Sequence, residues 1–444
     1  MHARKSSKNL LGIFVRKCAM PRFLYSALLY LLLPLVAGKL ALRCIKLAAY
    51  RPHWRERFGF YTLPRQSGVI WLHCVSVGET RAAAPLIDAL LTQYPERSLL
   101  LTHSSPSGRA TSEALFGNRV QRAYLPYDLP FAARRFLNHF QPDLGVLLET
   151  EIWFNLLAAC QRKQIPVVLA NARLSEKSAR GYTKLGSLAQ NALHSLHLIA
   201  AQTPNDAKRF QGLGAKRVET LGNLKFDALP PNDTLSKAEQ WRSWFGRQRP
   251  VFLAASTREG EEALILDALA ATPIADLLTV IVPRHPQRFS QVEALLKKRG
   301  LAYEKRSSLN DAVASTTQII LGDSMGEMYA YYASADLCLI GGSLLPFGGQ
   351  NLIEAMRLSK PVLLGAHTHN FEHASNEAVA KGAALRVNSA QEISAALLTL
   401  MNQPDRLNEM GAKGLSLCEA SLGATEKSLL LIAGILKKTN ELAD

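Results

Sequence analysis

Short apolar runs alternate with amphipathic segments along the first half of the chain. The runs predict buried strands at Val69–Cys74, Leu99–Thr102, Arg122–Leu125, Leu144–Leu148, Pro166–Ala170 and Leu198–Ala201. Segments with apolar residues at helical spacing separate them, for example Thr80–Gln93, Phe131–Phe140 and Leu156–Arg162. Strands that are apolar throughout and alternate with helices are typical of a parallel sheet covered on both faces.

The same alternation returns in the second half, after a polar stretch that contains Pro230 and Pro231. It predicts strands at Val251–Ala255, Thr279–Val282, Ile319–Leu321, Leu337–Ile340, Pro361–Leu364 and Ala384–Val387, with helices at Glu261–Ala270 and Phe289–Arg299. A chain of 444 residues exceeds one ordinary core. The pattern therefore predicts two Rossmann-like, doubly wound α/β domains facing across a cleft. We place them at residues 58–225 and 249–444, joined by a linker at 226–248.

A longer apolar run, Phe23–Gly38, precedes the first domain and predicts a helix that extends through Lys39 to Leu42. Residues 1–57 hold twelve Lys or Arg and one acid, Glu56, so this segment carries eleven of the sixteen net positive charges. A cleaved signal peptide fits poorly, because no small-x-small site follows. Nucleic-acid binding also fits poorly, because the charges flank an apolar helix. We predict an anchor that spans a membrane or lies in its anionic cytoplasmic surface.

The six cysteines are scattered without a CxxC pair, which favours a reducing, cytoplasmic compartment. GxxxxGK[ST], GxGxxG, GxSxG and HExxH motifs are absent from the sequence. The pattern therefore gives no support to a P-loop, a classical dinucleotide fingerprint, a serine hydrolase or a zinc protease.

Candidate chemistry lies in the loops that follow predicted strands, where open α/β sheets bind ligands. The glycine-rich loop 341–349 follows Leu337–Ile340 and leads into a helix that begins near Asn351 and carries Glu354. Free backbone N–H groups and a helix dipole at this point favour a phosphate. Glu354 could accept hydrogen bonds from ribose hydroxyls, so the loop predicts a nucleotide site.

Acidic residues follow two strands of the first half. Glu79 opens a helix, where it either stabilises the helix N-terminus or serves as a general base. Glu149 and Glu151 follow Leu144–Leu148; in an extended segment both side chains would point the same way. If the helix begins between them, only one faces the ligand, and its position at the strand end favours Glu149.

Basic residues follow two further segments. Lys225 lies at the predicted domain boundary and could stabilise a developing negative charge. Arg284 follows the strand Thr279–Val282 and offers a bidentate fork for phosphate or carboxylate. His285 beside it could equally be a structural histidine.

A set of ordered strings resembles the Kdo (3-deoxy-D-manno-octulosonic acid) transferases of lipopolysaccharide biosynthesis. The strings are HCVSVGET, YLPYDLP, ETEIWFN, ANARLS, GNLKFD, STREGEE, PRHPQRF, GDSMGE and GGSLLPFGGQNLIEA. The resemblance implies a GT-B glycosyltransferase that moves Kdo from CMP-Kdo to lipid IVA with inversion. It also implies attachment to the cytoplasmic side of the inner membrane, and neither a metal nor another cofactor is expected.

The resemblance also implies roles for individual residues. Glu79 resembles the general base, and Glu149 or Glu151 together with Lys225 resemble transition-state stabilisers. The residues that resemble the CMP-binding loops are Pro283, Arg284, Met325, Gly326, Glu327, Asn351, Leu352, Ile353 and Glu354. The chain departs from the family pattern at two kinds of position. Phe154, Leu352 and Ala366 stand where the family has Pro, and Arg258 and Gln350 stand where it often has His. The alternatives are a GT-B enzyme for another nucleotide sugar and a non-enzymatic membrane scaffold.

Overall fold

The structure is a computed structural model that describes residues 20–65 and 67–441. The predicted anchor segment therefore lies partly outside the described residues, including its basic residues before Met20. The described chain divides into two compact units. The N-terminal unit runs to Ala228 and also includes the chain from Gly423 onward, whereas the C-terminal unit comprises Leu229–Leu422.

The N-terminal unit begins with an apolar helix, α1 (Arg22–Lys46), followed by a seven-stranded sheet. Its strands are β1 Val69–His73, β2 Leu99–His103, β3 Gln121–Tyr124, β4 Pro142–Leu148, β5 Val167–Ala172, β6 Leu198–Ala201 and β7 Val218–Thr220. Its helices within the sheet region are α2 Val77–Ala82, α3 Ala84–Gln93, α4 Pro106–Phe116, α5 Pro130–Phe140, α6 Phe154–Arg162, α7 Glu176–Leu185, α8 Ser187–Ser195 and α9 Pro204–Gly212.

All neighbouring strands of this sheet are parallel, in the order β3-β2-β1-β4-β5-β6-β7. Alternate residues of β1 enter two separate cores: Trp71 packs on one face of the sheet and Leu72 on the other. The strand order reverses between β1 and β4. Such a reversal opens a crevice beyond the strand ends, and this is where ligands bind in doubly wound sheets.

The C-terminal unit holds a second parallel sheet of seven strands, in the order β10-β11-β9-β8-β12-β13-β14. Its strands are β8 Val251–Thr257, β9 Leu278–Pro283, β10 Tyr303–Lys305, β11 Ile319–Leu321, β12 Leu337–Ile340, β13 Val362–Leu364 and β14 Ala384–Arg386. Its helices are α10 Thr234–Phe245, α11 Glu261–Ala270, α12 Phe289–Lys298, α13 Met328–Ser334, α14 Ile353–Arg357, α15 Glu372–Ala380, α16 Ala390–Leu400 and α17 Pro404–Ala420. Here the strand order reverses between β8 and β12.

The last helix, α18 (Ala424–Glu441), belongs to the N-terminal unit, although our boundaries placed the whole stretch 249–444 in the C-terminal domain. Its residues Ile432, Ile435 and Leu436 join the core that also contains Leu72. The segment 226–248 also differs from an open linker, because it contains α10, whose Trp241 is buried.

The two doubly wound sheets confirm the predicted fold class, and most predicted strands agree with the structure to within two residues. The predicted helix Thr80–Gln93 is instead two helices, α2 and α3, which meet at Ala83. Pro85 lies in the first turn of α3 and has no backbone N–H to continue the preceding helix. The short edge strands β7 and β10 were not predicted, because only part of their surface is buried.

Candidate active site

Glu79 is held at the start of α2, directly beyond the end of β1. Ser76 caps the helix: its hydroxyl accepts a hydrogen bond from the Glu79 N–H and donates one to Glu79 Oε1 at 3.0 Å. The Val75 N–H donates to Glu79 Oε2 at 2.8 Å. Burial, and then the negative charge of Glu149, raise the pKa of Glu79 to about 7, against these hydrogen bonds. Glu79 is thus a capping residue whose pKa also suits a general base.

Glu149 follows β4 in the left-handed backbone conformation, with a φ of 58°. Lys225 Nζ lies 2.5 Å from its Oε1, and an Arg173 guanidinium nitrogen lies 3.9 Å from its Oε2. Burial alone would raise the pKa of Glu149, but the charges of Lys225 and Arg173 outweigh burial and lower it. Glu149 is therefore ionised at neutral pH and forms a fixed pair with Lys225.

Glu151 lies two residues further and differs from Glu149 in its charge state. Burial, and then the negative charge of Glu149, raise its pKa to about 7, although the Trp153 side chain lowers it. His73 Nε2 lies 3.9 Å from Glu151 Oε2. Burial lowers the pKa of His73 to about 3, so this contact is not an ion pair at neutral pH.

Four of the predicted side chains therefore lie beyond strands of the N-terminal sheet, in loops and turns or in the first turn of a helix. Glu79 follows β1 and Glu149 follows β4, the two strands between which the order reverses. Helix α2 packs against the turn Leu224–Phe226, which carries Lys225. The arrangement combines two carboxyl groups with a pKa of about 7, Glu79 and Glu151, with the ionised carboxylate of Glu149 and two cations. It can remove a proton from a hydroxyl group and stabilise negative charge nearby.

The C-terminal unit places cationic side chains beyond β8 and β9. Arg258 directly follows β8, and its guanidinium lies 4.5 Å from the centre of the Phe347 ring. Arg284 directly follows β9 and donates from Nε to Gln350 Oε1 at 3.1 Å. Burial, and then these two arginines and Arg288, lower the pKa of His285. The guanidinium groups of Arg258 and Arg284 at this edge of the sheet favour an anionic ligand such as a phosphate.

The first half of the glycine-rich loop does not present its backbone amides to a ligand, contrary to our expectation. The fully buried carboxylate of Glu261 already accepts hydrogen bonds from the N–H groups of Gly342 at 2.6 Å and Leu344 at 2.9 Å. It also accepts from Arg258 N–H at 2.8 Å. An internal carboxylate thus occupies this anion-binding turn, because a buried N–H needs a partner.

Glycine is required later in the loop, at Gly348. Its φ is 94°, and a Cβ there would lie 2.4 Å from Asn370 Nδ2 and 2.5 Å from His369 Nε2. The predicted residues Asn351–Glu354 follow this turn. Asn351 accepts a hydrogen bond from the Ile353 N–H at 3.2 Å and donates to Glu354 Oε1 at 3.1 Å.

Leu352 and Ile353 are buried, so only their backbone groups are available to a ligand. Met325 is exposed, and Gly326 has a φ of 84° with open space around it. Glu327 forms an ion pair with Arg306 at 3.0 Å. Pro283 ends β9, immediately before Arg284, and β9 pairs with β11, the strand that precedes Met325. The predicted CMP-binding residues therefore lie at strand ends or in the segments that follow them, at the same edge of one sheet, and their binding role stays a prediction.

Three residues that contribute to these sites were missed by sequence reasoning. Arg173 directly follows β5 and Arg258 directly follows β8, so the strand-end rule that selected Arg284 would also have found them. Glu261 had no such signal, because its role depends on a contact with residues 81 and 83 positions further along the chain. Within residues 20–65 and 67–441, no group of three or more His, Cys, Asp or Glu side chains is placed to hold a metal ion.

Comparison with known proteins agrees with this division of the chain. Residues 52–228 match the family model described as 3-deoxy-D-manno-octulosonic-acid transferase, and residues 276–416 match the model of glycosyl transferases group 1. In solved structures, a UDP-GlcNAc 2-epimerase from Neisseria meningitidis has a TM-score of 0.57 at 18% identity, covering 84% of this chain and 100% of its own. A likeness at this identity shows the fold alone, which is that of GT-B proteins.

Relatives of known name are much closer in sequence. The 3-deoxy-D-manno-octulosonic acid transferase of Bordetella pertussis is 43% identical over 374 residues, which cover 81% of this chain and 86% of the relative. The enzyme of that name from Haemophilus influenzae is 38% identical over 94% of this chain and 99% of its own length. The chain therefore belongs to the 3-deoxy-D-manno-octulosonic acid (Kdo) transferases, the glycosyltransferases that add Kdo in lipopolysaccharide biosynthesis.

Proposed function

We propose that this enzyme transfers Kdo from CMP-Kdo to a hydroxyl group of lipid IVA, with inversion at the anomeric carbon. The observation that carries the proposal is Glu79, whose pKa of about 7 matches a general base and whose neighbour Glu149 is paired with Lys225. In the proposed step, Glu79 takes the proton from the acceptor hydroxyl. The new bond from that oxygen to the anomeric carbon forms while the bond to the CMP phosphate breaks.

The second requirement of this step is that the negative charge of the leaving group is stabilised. The departing phosphate of CMP gains negative charge, so fixed cations lower the barrier. Arg284 and Arg258, beyond neighbouring strands of the C-terminal unit, suit the phosphate, and Gln350 orients Arg284 through its 3.1 Å hydrogen bond. We assign the ribose to Glu354 and further CMP contacts to the segment Met325–Glu327. This chemistry balances charge with the protein's own side chains and assigns no role to a metal.

Glu149 and Glu151 have separate roles in the proposal. Glu149 is ionised and holds the Lys225 ammonium in place, so Lys225 can stabilise charge that develops on the sugar or its carboxylate. The pKa of Glu151 is about 7, like that of Glu79, and we propose that the charge of Glu151 helps to raise the pKa of the base.

We also infer that the enzyme attaches to the cytoplasmic side of the inner membrane. Among the described residues, one helix, Arg22–Lys46, is long and apolar enough to cross a membrane. The basic residues around it suit an anionic leaflet. Attachment would place the enzyme where its lipid acceptor resides.

Mass spectrometry of lipid IVA after incubation with CMP-Kdo and the purified protein tests the proposal. We expect the lipid to gain the mass of one or more whole Kdo residues, and the number gained gives the number transferred. Release of CMP without any gain of mass on the lipid would refute the acceptor. A reaction without lipid measures hydrolysis of the donor and serves as the control.

A further inference from the structure

One face of α1 is partly covered along nearly the whole length of the helix, and Leu40 on this face is buried. The covered or partly covered positions are Tyr25, Ser26, Leu29, Leu33, Val36, Leu40 and Cys44. Apart from Ser26, they recur every three or four residues and so form one stripe of the helix. A helix that leaves its domain to cross a bilayer would have no reason for such a stripe.

The beginning of α1 is fixed to the N-terminal unit by polar and aromatic contacts. The Tyr25 hydroxyl donates to Asp128 Oδ2 at 2.9 Å, and the Ser26 hydroxyl donates to Asn155 Oδ1 at 3.0 Å. The ring of Tyr25 packs edge-on against Phe154, with 5.1 Å between the ring centres. Asp128 and Asn155 are buried, so these contacts join the helix to the body of the unit.

The end of α1 contacts the same unit. Cys44 Sγ lies 3.2 Å from the backbone oxygen of Tyr50, and the Arg57 guanidinium lies 5.9 Å from the centre of the Tyr50 ring. Arg57 in turn donates to the Ser104 backbone oxygen at 3.0 Å. Between Tyr25 and Cys44 the helix rises roughly 28 Å, which is close to the thickness of the hydrocarbon core. A spanning helix would place these two ends on opposite sides of the membrane, yet both contact one folded unit.

The opposite face of α1 is a stripe of exposed leucines. Leu24, Leu28, Leu31, Leu35 and Leu42 are spaced four, three, four and seven residues apart, with 47% to 76% of each residue exposed. Lys39 and Lys46 are exposed on the same helix. An apolar stripe with lysines beside it suits a helix that lies in a membrane surface, where lysines reach the headgroups.

The charges on both sides of α1 give an independent argument. Five basic residues precede Met20, and two exposed arginines, Arg51 and Arg55, follow the helix. A spanning helix would carry one of these groups across the membrane, against the preference of basic residues for the cytoplasmic side. A helix in the plane leaves both groups on the same anionic surface.

We propose that α1 lies in the plane of the anionic membrane surface, docked on the N-terminal unit, with its leucine stripe in the lipid. This proposal rests on the inferred membrane attachment and states its geometry. It holds the unit that carries Glu79 against the leaflet, with no segment on the far side.

Cross-linking in the membrane tests the docking. The full chain carries Ser26→Cys and Asn155→Cys, with Cys18→Ser and Cys44→Ser to remove other reactive thiols near the helix. We expect a short bismaleimide to join the two new cysteines in the membrane fraction, since the native side chains at these positions are in contact, with 3.0 Å between Ser26 Oγ and Asn155 Oδ1. Leu31→Cys in place of Ser26→Cys is the matched control, because Leu31 is 76% exposed on the opposite face of α1. Membrane-bound protein that does not cross-link would overturn the docking.

Protease access tests the topology. Identical cleavage sites are added before Met1 and after Asp444, and the protein is expressed and recovered in sealed inside-out membrane vesicles. We expect cleavage at both ends without detergent. Cleavage only at the C-terminus, with the N-terminal site cut after detergent is added, shows a spanning helix and overturns the proposal while membrane attachment stands. Protein absent from the membrane fraction refutes both the attachment and the proposal.

Substitutions on the exposed face identify what covers it. We expect Leu31→Asp with Leu35→Asp to lose most binding to vesicles of phosphatidylethanolamine and phosphatidylglycerol, while the cross-link still forms. The matched control is Leu229→Asp with Leu235→Asp, two leucines that are each 70% exposed in the other unit, and it should bind normally. A wild-type protein that forms a soluble dimer through this face and does not bind the vesicles would show that a second copy, not lipid, covers the leucines.

Discussion

At the scale of single residues, burial and charge separate three carboxyl groups that look alike in the sequence. Glu79 and Glu151 both titrate near neutrality because they are buried close to the ionised Glu149. Glu149 remains ionised because Lys225 and Arg173 lie beside it. One buried site thus contains a proton acceptor and a permanent anion, which is a common way for environment to assign roles to similar groups.

Replacing the base should abolish transfer without abolishing donor binding. We expect Glu79→Gln to lower kcat by about 10²–10⁴-fold, the usual contribution of a general base, while the affinity for CMP-Kdo stays unchanged. Transfer is measured on lipid IVA by mass spectrometry and affinity by calorimetry. Glu96→Gln is the control, because that side chain is 67% exposed in the same unit. Turnover at the wild-type rate would remove Glu79 from this role.

The pH dependence should report the titration of Glu79. Only the ionised carboxylate can accept a proton, so kcat/KM should fall as the pH drops below about 7, the pKa of Glu79. The charge of Glu151 contributes to raising that pKa, so Glu151→Gln should move the acidic limb to lower pH. A limb that stays in place, or that moves upward, would contradict the proposed coupling.

At the scale of elements, the loop between β12 and α14 is ordered by a side chain from α11. The Glu261 carboxylate accepts a hydrogen bond from the N–H of Arg258, just after β8. It also accepts hydrogen bonds from the N–H groups of Gly342 and Leu344, just after β12. The sequence pattern predicted that this loop binds a ligand, but it did not predict that the Glu261 carboxylate binds the N–H groups of its first turn. Periodicity describes which residues share a face of an element, and it gives no information on which distant side chain fills a turn.

Removal of the Glu261 carboxylate should therefore destabilise the C-terminal unit. We expect Glu261→Ala to lower its free energy of unfolding by about 3 kcal/mol or more, because each buried N–H left unpaired costs about 1–3 kcal/mol. Donor affinity should fall as the loop loses order. Urea unfolding and CMP-Kdo titration measure the two effects. Glu259→Ala, at an exposed position two residues before, is the control and should change neither.

At the scale of the whole molecule, the polypeptide returns to its first unit at the end. Helix α18 packs its Ile432 and Ile435 into the core beneath β1 and β4. The N-H groups of Gly423 and Thr425 donate to the Asp227 carboxylate, at 2.9 and 2.5 Å. The two places where the chain passes between units are thus adjacent and joined by hydrogen bonds.

This arrangement predicts that a substitution near the C-terminus weakens the N-terminal unit. We expect Ile432→Ala to lower the free energy of unfolding of that unit by about 2–5 kcal/mol, as for other buried Ile-to-Ala changes. Calorimetry with and without CMP-Kdo distinguishes the transitions, since the ligand should stabilise the C-terminal unit. Leu430→Ala, 66% exposed on the same helix, is the control. A shift confined to the transition that CMP-Kdo stabilises would contradict the assignment.

The sequence by itself determined the alternation of strands and helices, the two doubly wound sheets and the strand-end residues, because burial on both faces of a parallel sheet imposes a local apolar pattern. The ordered motifs determined the family. Only the tertiary structure decided that Glu79 and Glu151 titrate near pH 7 while Glu149 stays charged, that Glu261 occupies the first turn of the glycine-rich loop, and that α18 returns to the first unit. Each of these depends on contacts between residues far apart in the chain, and pKa values and packing are set by such contacts rather than by local sequence.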